Sequence, residues 1–161
     1  MSAQQLTGLT NGLKALAGDG IPLFLSTDQE GGVVERMPPE VHSLPNAYRF
    51  GQISEPKVRM DACFTLGQTL AAQCAAFGLN MDFAPVMDIW SNPNNTVIGQ
   101  RAFGSDAATV TGAANETACG MLDGGVIPVA NMSWARKPNP KWRASTPRQS
   151  RTPSWCSAPA T

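Results

Sequence analysis

The chain has 161 residues, 42% of them hydrophobic, with 15 glycines, 13 prolines and a formal net charge of zero. That is enough chain for one domain with a true core, and the composition excludes a disordered or fibrous protein. No apolar run reaches the roughly 18 residues of a membrane span, and Met1 to Lys14 lack a cationic start followed by an apolar stretch, so no signal peptide is visible and a cytoplasmic location is expected.

In chain order, Ala3 to Ala17 sets Leu6, Leu9, Leu13 and Leu16 at spacings of three and four, which predicts an amphipathic helix stopped at Gly18-Asp19-Gly20. Ile21 to Ser26 is a short apolar run that reads as a strand buried on both faces. It leads into Thr27-Asp28-Gln29-Glu30-Gly31-Gly32. Residues 37–56, with four prolines and the chain's single histidine, read as a long loop. Pro56 suits a helix start, and Lys57 to Phe77 carries a helical apolar pattern that Gly78 ends. Leu79 to Ile89 is a second strand candidate, followed by an Asn/Pro-rich loop over residues 91–95. Asp106 predicts the cap of a helix through Leu122, weakened by Gly112 and Gly120 at about 1 kcal/mol each. Gly124-Gly125 opens a third strand, Val126 to Ala130.

This alternation of helix and strand predicts an α/β fold with parallel strands. Periodicity does not choose between an open sheet and a barrel. In both, ligands bind at the carboxyl ends of the strands.

Asp28-Gln29-Glu30-Gly31-Gly32 occupies such an end. A carboxylate there can accept two sugar hydroxyls, and the glycines let backbone approach a ligand; the bland alternative is an Asx-type turn with Glu30 solvated. Arg36 and Arg101 each carry a guanidinium able to fork onto a carboxylate or adjacent hydroxyls, and each reads equally as a surface arginine or as an ion pair orienting Asp28. Asp82 and Asp88 lie six residues apart, about 20 Å in extended chain at about 3.3 Å per residue, too far for a glycosidase acid/base pair. Structural hydrogen bonding to loops is the reading favoured for both. His42 stands alone between Pro39 and Pro45 and supports neither a triad nor a zinc site. Asn115-Glu116-Thr117 and Asn131-Met132-Ser133 match the N-glycosylation pattern, which is common by chance. The cysteines form no CxxC pair, and three of the four read as small buried hydrophobes in a reducing compartment.

Four segments, in this order and spacing, resemble the N-terminal domain of glycoside hydrolase family 3, in its β-N-acetylhexosaminidase branch. They are residues 21–32, 78–88, 92–106 and 125–130. The resemblance implies a partial (β/α)8 TIM-type barrel of about three βα units over residues 1–130, with an irregular tail behind it. It also implies no cofactor, no metal, and a small N-acetylglucosamine-containing carbohydrate as ligand. Asp28 resembles the aspartate that grips sugar hydroxyls, and Arg36 and Arg101 resemble two arginines that bind and orient the sugar.

Beyond Ala130 the resemblance stops. The family continues with Lys-His-Phe-Pro-Gly-His-Gly and a loop ending Asp-Ser-His, whose histidine donates the proton; this chain reads Asn131-Met132-Ser133-Trp134-Ala135-Arg136, with no histidine after His42. The nucleophilic aspartate of the family belongs to a later part of the barrel. The chain is therefore expected to be an incomplete barrel that catalyses nothing alone. The alternative is a sugar- or partner-binding module that uses the same Asp28, Arg36 and Arg101.

Residues 131–161 also change in composition. They hold six of the twelve bases, no acid, three of four tryptophans and five prolines, for a net +6 against −6 in residues 1–130. A Ser-Trp-Ala-Arg stretch encoded TCC TGG GCA CGG reads, one base later, as Pro-Gly-His-Gly, so a shifted frame accounts for the tail. The bases form no helical stripe, and neither nucleic-acid nor membrane binding is expected. Exposed sheet edges are expected to drive self-association.

Overall fold

The computed structural model describes residues 1–18 and 20–131; the tail discussed above falls almost wholly outside them. Helix α1, Ala3–Ala17, starts with a capping box in which the Ser2 side chain accepts the Gln5 N–H and Gln5 reaches back to the Ser2 N–H. Strand β1 is Ser26–Thr27, and a short helix α2, Ala47–Gly51, follows with Asn46 as N-cap. Helix α3 is Pro56–Ala76, with proline in its first turn and the Glu55 carboxylate capping Val58 N–H. Strand β2, Met81–Asp82, precedes a 3₁₀ turn at Gly99–Arg101. Helix α4, Ala107–Asp123, is capped by Asp106, and β3 is Ile127–Pro128.

The three strands form one parallel sheet in the order β1-β2-β3, with Ser26 opposite Met81 and Met81 opposite Ile127. Each return between parallel strands runs through a helix, α3 between β1 and β2 and α4 between β2 and β3. The paired segments are shorter than the runs 21–26, 79–89 and 126–130 predict. The first run differs in burial as well: Ile21 is 88% and Phe24 67% exposed. Both residues precede the paired segment Ser26–Thr27, an outer strand of the described sheet.

The core lies between the sheet and the α3/α4 pair, around Leu66, Leu70, Phe103, Val110, Met121 and Val126. Two glycines set how closely those helices approach. A Cβ on Gly120 would sit 2.0 Å from the Phe64 carbonyl oxygen, and one on Gly67 would sit 2.0 Å from that of Thr117. Gly120, which propensity alone marks as a weakness of α4, is thus a packing requirement. Cys63 and Cys74 are free and buried, as a reading as small hydrophobes expects, whereas Cys119 is buried but disulfide-bonded, which that reading does not expect.

Helix α1 is less well seated. Of its apolar stripe, Leu6 and Leu13 are half-buried, while Leu9 and Leu16 remain 51% and 82% exposed. A cavity of about 230 Å³ opens between α1 and β1, lined mainly by Leu6, Leu9, Leu13, Phe24, Leu25 and Leu79. Among the described residues, no helix is long and apolar enough to cross a membrane.

Candidate functional site

The segment after β1 is held by a chain of buried polar contacts. Asp82, fully buried at the end of β2, accepts the Gln29 N–H at 2.8 Å. Its carboxyl also lies 3.8 Å from the Cys74 thiol. Burial, with Asp28 and Glu30 adding negative charge nearby, pushes the Asp82 pKa up to about 7, against the opposing pull of the Gln29 and Cys74 contacts. The reading of Asp82 as a structural residue holds: it ties β2 to the turn that follows β1.

Gln29 is a hub that sequence reasoning missed. Its side chain is fully buried; its amide nitrogen donates to Glu35 and, at 2.9 Å, to Gln73, and its oxygen accepts the Arg36 N–H at 2.8 Å. Arg36 is therefore fixed through its backbone, while its side chain is exposed and its guanidinium reaches only the Glu35 carbonyl, at 3.4 Å. Asp28, between Thr27 and this hub, is half-buried.

Glu30 departs most from its sequence reading. It is not a solvated turn residue: its side chain is 5% exposed and both oxygens are engaged by Arg101, Nε to Oε2 at 2.8 Å and Nη2 to Oε1 at 2.7 Å. Asn131 Nδ2 adds a third bond to Oε1 at 3.0 Å. Arg101 Nη1 also donates to the Val97 carbonyl at 3.2 Å. The hydrogen bond to Glu30 and the negative charge of Glu30, Asp28 and Asp88 hold the Arg101 pKa above its ordinary value, with burial opposing. Arg101 is thus part of an ion pair, as one of its readings has it, but the partner is Glu30 rather than Asp28.

The two glycines after Glu30 have φ values of 82° and 63°, which favour glycine. They also press against the loop before α2: a Cβ on Gly31 would lie 2.9 Å from the Pro45 carbonyl oxygen, and one on Gly32 would lie 2.6 Å from Asn46 Cβ. Their close approach is to this loop. Asn46 caps α2 through Arg49 N–H and donates to Gln100 at 2.8 Å, which links the loop to the turn bearing Arg101. An asparagine after Pro45 is a cap signal the sequence does carry. Asp88 is buried, and His42 is an exposed loop residue whose carbonyl accepts from Gln73 at 2.9 Å.

The site therefore gathers Asp28, Glu30, Arg101 and Asn131 from the loops that follow three parallel strands. Comparisons with known proteins give the family. The β-hexosaminidase LpqI of Mycobacterium tuberculosis is 40% identical over 116 residues, which is 71% of this chain and 29% of that protein. A β-hexosaminidase of Nitrosomonas eutropha is 32% identical over 80% of this chain and 36% of its own length. Among solved structures, NagZ from Neisseria gonorrhoeae, in complex with N-trifluoroacetyl-D-glucosamine, superposes with a TM-score of 0.73 at 31% identity, over 80% of this chain and 37% of that one. A family 3 glycosyl hydrolase from Mycobacterium smegmatis gives 0.70 at 34% identity, over 81% and 38%. The chain thus spans about a third of the length of these relatives. Residues 1–131 match the family model of the glycosyl hydrolase family 3 N-terminal domain, and the chain belongs to that family.

Proposed function

We propose that residues 1–130 form about three βα units of a (β/α)8-type barrel and supply the sugar-gripping side of a β-N-acetylhexosaminidase pocket. In this reading Asp28 accepts two hydroxyls of a terminal β-linked N-acetylglucosamine, while Arg36 and Arg101 donate to the sugar. One observation supports it above the others: the loops after β1, β2 and β3 meet on a single carboxylate, Glu30, through Arg101 and Asn131. Convergence of strand-end loops is where such folds bind ligands. The relative crystallised with an N-acylglucosamine points to the same ligand class.

The 161-residue polypeptide alone binds sugar without hydrolysing it. Retaining hydrolysis requires a nucleophile and a proton donor on either side of one bond. The single histidine is exposed in the loop before α2, and Asn131 begins the stretch where the family places its Lys-His pair. In this reading the composition of residues 131–161 fits a shifted reading frame, although Asn131 itself is bonded to Glu30.

Calorimetric titration with N-acetylglucosamine tests the binding half. The wild-type chain binds, and Asp28→Asn, which removes one acceptor charge and leaves the fold, weakens binding at least tenfold. Equal affinity of the two proteins would remove Asp28 from the site.

A further inference from the structure

Glu30 is buried, accepts both forks of Arg101 and is bonded by Asn131, yet it is too enclosed to serve as a principal sugar ligand itself. A guanidinium has five N–H donors. Among the described residues, three of those on Arg101 are directed at Glu30 and Val97, which leaves two for a ligand, and its side chain keeps 19% exposure. The orientation of those two donors is therefore set by Glu30. The charge around them is set as well, since Glu30, Asp28 and Asp88 all act on this one guanidinium. A second anion placed there is repelled, whereas a neutral hydroxyl or amide oxygen is not.

We propose that Glu30 is a positioning and charge-balancing residue, which holds the free donors of Arg101 toward the pocket and restricts it to neutral sugars. The proposal rests on Arg101 being a sugar ligand, as argued above. Without Glu30 the guanidinium swings freely and its charge is less cancelled, so a ligand bearing a carboxylate gains relative to a neutral one.

The probes are N-acetylglucosamine and N-acetylglucosaminuronate, which carries a carboxylate in place of the C6 hydroxymethyl group. The wild-type chain prefers the neutral sugar at least tenfold. Glu30→Gln keeps the shape and one hydrogen bond to Arg101 but removes the charge; it narrows that preference at least fivefold. A residue that merely stabilises the fold moves both affinities together, so the ratio is the diagnostic readout. An unchanged ratio in a folded Glu30→Gln chain overturns the proposal, whereas a wild-type chain that binds neither sugar overturns the binding-site reading itself. Should Glu30→Gln fail to fold, Glu30→Asp carries the test, because it keeps the charge and shortens the reach to Arg101. It then lowers affinity for the neutral sugar at least threefold, with the ratio within twofold of wild type and the Tm unchanged; undiminished affinity, or a loss of affinity accompanied by a lowered Tm, contradicts the positioning role.

Discussion

The Asp82 carboxylate accepts the backbone N–H of Gln29 at 2.8 Å, so the end of β2 fixes the turn that follows β1. Asp82 is fully buried, and its pKa stands near 7 instead of the ordinary 3.8, chiefly through burial. The folded state thus keeps a proton that the unfolded chain releases near pH 4. The stability contributed by this proton is complete below about pH 4, declines as pH rises toward 7, and levels off above it, at a slope of at most about 1.4 kcal/mol per pH unit.

Thermal unfolding from pH 4.5 to 8 reads this slope. Asp82→Asn, a neutral stand-in for the protonated acid, flattens the curve and raises the Tm at pH 8 relative to wild type. A residual slope of the same sign remains from Glu116, whose pKa is raised by burial and by Asp61. A variant curve parallel to wild type would refute the assignment to Asp82.

Gly120 and Gly112 sit in the same helix and respond oppositely to alanine. Alanine is favoured in helices by about 1 kcal/mol. At Gly112 nothing lies within 4 Å of the added methyl, so Gly112→Ala stabilises by up to about 1 kcal/mol. At Gly120 the methyl meets the Phe64 carbonyl at 2.0 Å, and Gly120→Ala costs about 1–3 kcal/mol by forcing α3 and α4 apart. Denaturant midpoints of the two variants separate these effects, and shifts of the same sign would contradict the packing geometry.

Much of the architecture was legible because its signals are local. The leucine spacing of α1, Pro56 at the head of α3, and Asp106 as cap of α4 all appear as read, and the helix–strand alternation yields the parallel order β1-β2-β3. Strand lengths were not legible, since an apolar run such as Ile21 to Phe24 records hydrophobicity and not whether a neighbour pairs with it. Asp28, Arg36 and Arg101 were singled out, but Glu30 joins Arg101 across 71 positions, and no periodicity reports a pairing of that range. Gln29 was invisible for the same reason, because its partners Glu35, Gln73 and Asp82 come from three different segments.

The apolar side chains around β1 make association of the isolated chain the expected behaviour. Ile21 and Phe24 are 88% and 67% exposed beside the half-seated leucines of α1, and unpaired strand edges promote pairing between chains. Sedimentation velocity over a hundredfold concentration range detects mass that rises with concentration. Phe24→Lys reduces that association; a monodisperse wild-type monomer across the range would contradict it.

The separation of binding from catalysis is tested most directly by turnover. Purified wild-type chain, at concentrations that saturate with N-acetylglucosamine in calorimetry, is incubated with p-nitrophenyl N-acetyl-β-D-glucosaminide from pH 4 to 8. Under the reading proposed above, release of p-nitrophenol matches the protein-free rate at every pH. Hydrolysis above that rate which tracks the protein through purification, and is lost in Asp28→Asn, would contradict the account.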